Sequence, residues 1–220
     1  MRVIRSATAL LALSSAVSMP ALSQGKPFEG TITFEAGGGR NGSGAFSYSI
    51  KGQRVRFEPR GSEMQMVMLM DLDAKVMRMV VPGQNMYMEM ELPDAEDDGK
   101  DLRKDALVNT GRTDDVAGRK CEIWTMKDEG REYEACVARD MGTFMQGSSP
   151  MGRRSAPPAW QAELRKGGFF PLRVVEKGGS GRPMLVATKI EEKSLDDAMF
   201  AVPAGAQKMT MPPGMGGRRP

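Results

Sequence analysis

The chain has 220 residues, 31 Lys+Arg against 28 Asp+Glu, and no histidine. The missing imidazole excludes a Ser–His–Asp triad, a Cys–His pair and any His-ligated zinc site. A net charge of +3 spread along the chain is no nucleic-acid footprint, and the length suits a single β-rich domain.

The N-terminus reads as a processing signal. Arg2 and Arg5 form a short basic region, and Ala7–Val17 is an apolar run too short to span a bilayer. Ala21-Leu22-Ser23 puts small residues before a cleavage at Gln24. The expected parts are a signal peptide over 1–23, a domain over 24–208 and a disordered tail over 209–220. No cysteine follows the apolar run, so a lipoprotein is not expected. The bacterial style of the signal points to the periplasm. No later stretch is long and apolar enough to predict a membrane span.

Phe28–Ala36, Phe46–Ile50 and Arg54–Glu58 alternate apolar and polar residues with strand period. Gly/Asn/Ser residues and Lys51-Gly52-Gln53 separate them. Next comes Met64–Met90, which holds nine of the 20 methionines. Period two places Met64, Met66, Met68 and Met70 on one face of a strand, Met77 and Met79 on one face of the next, and Met86, Met88 and Met90 on one face of a third. Turns are expected over Asp71–Lys75 and Pro82–Asn85. The middle strand is apolar on both faces, which requires cover on both faces.

Asp94–Asp105 has the outline of a calcium loop, with Asp94, Glu96 and Asp98 ahead of Gly99. Glu at the third position, Asp at the twelfth and Pro93 before the loop depart from that pattern and favour a solvated linker. Cys121 and Cys136, in an exported chain, read as one disulfide. The turn signal Asp128-Glu129-Gly130 between them predicts a hairpin with the two cysteines opposite one another. Arg139–Gln146 is expected to hold one or two helical turns, Gly147–Pro158 a loop, and Trp160–Lys166 a short amphipathic helix stopped at Gly167-Gly168. Phe170–Glu176 and Met184–Glu192 are two more strands. Ser194 is placed to cap a turn over Leu195–Met199 that packs Phe200, Val202 and Pro203 onto the sheet. Met209 and Met211 in the tail repeat the methionine spacing.

The fold class expected is mainly β: a single curved antiparallel sheet of about ten strands, a half-barrel, with one or two short helices over its concave face. Several segments resemble the exported domain of unknown function 4412 family, whose members are similar in fold to the LolA/LolB-type periplasmic lipoprotein carriers. The segments are Phe28-Glu29-Gly30, the Tyr48–Glu58 hairpin with Lys51-Gly52, and Val116-Ala117-Gly118-Arg119-Lys120-Cys121-Glu122. Phe169-Phe170-Pro171-Leu172 and Phe200-Ala201-Val202-Pro203-Ala204-Gly205 complete the set. The resemblance implies an open half-barrel with short helices in its mouth and an apolar cavity between. It carries no catalytic residue.

The methionines admit several readings. They fill a core, because Met is a flexible gap-filler. Or they line a cavity, roofed by Trp160, that holds a lipid or acyl chain against thioethers able to repack. A third reading is Cu(I), which soft thioethers select, along Met64, Met66 and Met68. A fourth is oxidant scavenging. The expectation is a non-catalytic protein without a cofactor that binds a hydrophobic small molecule, a lipid or an envelope partner, or else plays a purely structural part in the envelope. Acidic pairs such as Asp114-Asp115 and Asp196-Asp197 sit in expected turns, where solvated or capping roles suffice.

Overall fold

The computed structural model describes residues 27–39, 42–61, 66–92, 107–128, 130–144, 164 and 167–209. The expected signal peptide, the expected loops over Asp94–Asp105 and 147–158, Trp160 and the tail beyond Met209 lie outside the described residues, as does the expected 160–166 helix apart from Leu164, which is helical and buried.

Twelve strands are present: β1 (Glu29–Gly39), β2 (Gly42–Lys51), β3 (Arg54–Arg60), β4 (Val67–Asp71), β5 (Val76–Val81), β6 (Met86–Glu91), β7 (Leu107–Val116), β8 (Arg119–Asp128), β9 (Arg131–Arg139), β10 (Phe169–Glu176), β11 (Pro183–Glu192) and β12 (Gln207–Met209). They form one open, curved sheet in the order β12-β6-β5-β4-β3-β2-β1-β11-β10-β9-β8-β7. Every pairing is antiparallel except β12 on β6, which is parallel. β1–β6 are a meander, and β7–β11 are a second one. The two meet where β1 pairs with β11.

The count is twelve where the alternation predicts ten. β7 is an edge strand whose residues are mostly exposed, so it carries no buried stripe to reveal it. β12 has three residues, all exposed. Its position also corrects the tail, because Met209 is part of the sheet.

Turn chemistry sets the hairpins. Asp71 accepts the Ala74 N–H at 2.9 Å, and the β4–β5 connection closes with Lys75 at φ 52°. A 3-10 turn, Pro82–Gln84, ends on Asn85 in the left-handed region and leads into β6. Ala117 and Gly118 both have positive φ, as a two-residue hairpin with strand-like twist requires. Three local expectations are corrected. Residues up to Arg139 belong to β9 and 140–144 form no helix, because Phe28 N–H donates to Asp140 and the segment then crosses the sheet. The turn near the C-terminus is Asp197–Phe200, capped by Asp196 accepting the Ala198 N–H, while Ser194 reaches Glu29 instead. Phe200 is buried and Val202 packs on the sheet, but Pro203 is exposed.

The disulfide forms between Cys121 and Cys136, with Cα atoms 5.3 Å apart. The hairpin turns one residue later than the symmetric reading predicts, since Asp128 pairs with Arg131. Cys136 therefore sits opposite Ile123 and is diagonal to Cys121, on the same face.

Most of the core lies on one face of the sheet and under the crossing segment. Phe34, Tyr48, Phe144 and Phe170 form an aromatic knot with ring centroids 5.4 to 6.2 Å apart. The Tyr48 hydroxyl donates to the Thr143 carbonyl at 2.9 Å, so the crossing segment is tied down where it covers the sheet. A smaller cluster, Val67, Leu69 and Val80 with Tyr87 and Val202, sits on the reverse face. That is the second cover that the two-sided β5 demands.

A methionine-lined face as the candidate site

Strand register turns three separate methionine patterns into one surface. Met68 pairs with Met79, and Met79 with Met88. Met70 pairs with Met77, and Met77 with Met90. Directly opposed residues share a face, with Cβ atoms about 5 Å apart. Two rows of three thioethers therefore run across β4, β5 and β6. Phe57 extends the first row into β3 and Val55 the second. Met209 of β12 is in register with Met88, so the first row continues to the edge of the sheet.

Exposure grades along this surface. Met79 is fully buried, and Met70, Met77 and Met68 are 3%, 7% and 8% exposed. Met66, Met86, Met88 and Met90 are half-buried, and Met209 is 43% exposed. The inner four belong to the main core cluster, and Met66, Met88 and Met90 pack against it. Met64 and Trp160 lie outside the described residues. The structure thus joins seven of the nine expected methionines into the rows and their flank, places Met66 just ahead of β4, and adds Met209. The sequence signal for Met209 is its spacing alone; which strand it joins is a matter of register.

The reverse face fixes the outer end of the row. Glu89, between Met88 and Met90, accepts from Arg78 Nε at 2.8 Å and Lys208 Nζ at 2.6 Å. Lys208, and after it Arg78, hold the Glu89 carboxyl below the usual carboxylate range, and Glu89 raises the Lys208 ammonium in turn. Asn85 adds a side-chain bond to the Gly205 carbonyl at 2.9 Å. These contacts hold β12, and with it Met209, beside β6.

A second polar group, unread in the sequence, lies at the other end of the sheet. Glu122 accepts from Arg139 at 3.0 Å, Trp124 Nε1 at 3.1 Å and Asn109 at 3.0 Å. Arg139 stacks over the Phe169 ring at 4.6 Å. Arg139 is the main cause that lowers the Glu122 carboxyl, which makes this a paired, charge-satisfied surface. Among the described residues, no three His, Cys, Asp or Glu side chains are gathered to hold a metal, and no helix is long and apolar enough to cross a membrane.

Among solved structures, the chain is similar to an uncharacterized conserved protein from Thermus thermophilus, at 11% identity over 83% of this chain and 89% of that one, with a TM-score of 0.46. It is also similar to PNGF-II in two crystal forms, at 11% and 12% identity with TM-scores of 0.47 and 0.43. The likeness covers 83% and 77% of this chain but only 31% and 29% of PNGF-II, so this chain spans about a third of that protein's length. No curated protein matches the chain. A family model does match, over residues 28–206, and its span takes in the aromatic knot, the disulfide hairpin and the two thioether rows: the chain belongs to the family described as Domain of unknown function (DUF4412).

Proposed function

We propose that this protein is a non-catalytic periplasmic binding protein, a LolA-like half-barrel that holds an apolar ligand such as a lipid or acyl chain against its methionine face and exchanges it with an envelope partner. The observation that carries this reading is the graded first row. Met79 is sealed, Met88 is half-open and Met209 is exposed, so one thioether surface runs from the core out to solvent. A structural core gains nothing from such a continuation, and flexible thioethers repack around a guest at little cost. Stiff Val and Ile favour strands more strongly, so six methionines in register give up conformational specificity for adaptability. The disulfide fits an oxidising compartment. Protein purified gently from periplasm is expected to carry extractable lipid and to take up a fluorescent fatty acid. Bare protein in native mass spectrometry, together with no uptake, defeats the proposal.

The opposed rows also favour a second reading. Three sulfurs from three neighbouring strands make a better soft-metal set than residues spaced along one strand, so a Cu(I) site would use Met79, Met88 and Met209 rather than Met64, Met66 and Met68. Competition against a Cu(I) chelator decides it: a Met79→Leu/Met88→Leu variant that competes as well as wild type removes copper.

A further inference from the structure

A groove of about 420 Å³ opens where the ends of β3 and β4 meet the β5–β6 turn, lined on its polar side by Ser47, Arg56, Glu58 and Arg60. Met66 and Val67 supply an apolar wall. Arg56 pairs with Leu69, a member of the reverse-face cluster, so this guanidinium lies on the face opposite the thioether rows.

Arg56 is held by two of its nitrogens. Nη1 donates to the Met199 carbonyl at 2.7 Å and Nη2 to Glu58. Its Nε is buried and is the one buried side-chain polar atom among the described residues that has no hydrogen-bond partner. A buried donor without an acceptor is rare in folded proteins and marks a place where an acceptor is wanted. Arg60 is fixed beside it, its Nε donating to the buried Ser47 hydroxyl at 2.8 Å. Among the described lining residues, two guanidiniums stand beside one carboxylate, Glu58. Guanidinium forks match the oxygens of carboxylates and phosphates.

We propose that the groove binds an organic acid, with its carboxylate on Arg56 and Arg60 and its apolar stem on Met66 and Val67. Glu58 occupies part of Arg56 and acts as the internal competitor that an incoming carboxylate relieves. This site stands apart from the methionine rows, and it survives or fails independently of them.

The probe is octanoate, titrated onto the full mature chain by calorimetry and followed by NMR of the Arg side-chain N–H groups. Saturable binding with shifts at Arg56 and Arg60 is expected. Arg60→Gln, at an exposed position, weakens binding about tenfold, the worth of one charge-assisted hydrogen bond. Glu58→Gln tightens it, because the competing charge is gone while the shape is kept. Inorganic phosphate, which has the oxyanion but no stem, binds more weakly, and octylammonium does not bind. Unchanged affinity in both variants, octanoate shifts confined to the methyls of the thioether rows (Met68, Met70, Met77, Met79, Met88 and Met90), equal binding of phosphate, or equal binding of octylammonium each overturns the assignment.

Discussion

The two halves of the sheet are built from different materials. From β2 and β1 across to β8, and under the crossing segment, rigid rings of Phe34, Tyr48, Phe144 and Phe170 interlock and a disulfide ties β8 to β9. On β4 and β5 comparable burial is reached with unbranched thioethers and no cross-link, and on β6 the same rows become half-buried. Rings and disulfides fix one arrangement of atoms. Methionines bury area equally well while leaving several rotamers open to each side chain. One half is thus suited to hold shape and the other to change it.

The comparison breaks first at Phe170, which is fully buried in the aromatic knot. Phe170→Ala is expected to cost about 3–5 kcal/mol in denaturant unfolding, the usual loss for a large ring removed from a core. Opening the disulfide with Cys121→Ala/Cys136→Ala comes next. With the cysteines 15 residues apart, loop-closure entropy predicts a loss of about 3 kcal/mol. Met79→Leu, although Met79 is as deeply buried as Phe170, is expected to cost less than about 1.5 kcal/mol, because the volume is conserved and neighbouring thioethers readjust. A loss as large as that at Phe170 would show that the methionine half is packed as tightly as the other and would erase the contrast.

The smallest effect concerns pH at the row's outer end. The Glu89 carboxyl is lowered in the folded protein by Lys208 and Arg78. Its contribution is therefore complete above the ordinary glutamate value and is lost as pH falls through the lower, folded value. Below about pH 4, amide exchange in β12 should speed up relative to β5. Glu89→Gln should produce the same loosening at neutral pH and remove its pH dependence. Exchange that is unaffected by either change would mean that the Lys208 pair does not hold the edge strand.

Much of this was written in the local pattern of the chain. β1–β3 and β6 alternate, β4 and β5 are apolar runs of strand length, and Gly, Asn, Asp and Pro turns separate them, so the meander can be read strand by strand. β7 could not be read that way, because Asn109–Asp115 is largely exposed on an edge and alternation appears only where one face is buried. The β8–β9 turn falls one position late because Asp128 can serve as a strand end as readily as a turn, and tertiary pairing decides which. The methionine face was legible strand by strand, but its rows were not: which thioethers meet depends on register, and the inclusion of Met209 depends on a strand of three residues.

The place of β1 in the sheet has a consequence for how the chain reaches its shape. Within each meander, neighbouring strands follow one another in sequence, so their pairing closes short loops. The pairing of β1 with β11 is different: Gly30, near the start of β1, pairs with Glu192 of β11, about 160 residues further along the chain. Closing so long a loop carries a large entropic cost before any contact repays it, which makes such pairings slow. A chain emerging N-terminus first during synthesis would form β1–β6 early and leave one side of β1 bare. That exposed edge carries Ile32 and Phe34, and it would stay open to mispairing until β11 arrives. The central strand of the finished sheet is thus the outermost strand for most of the folding time.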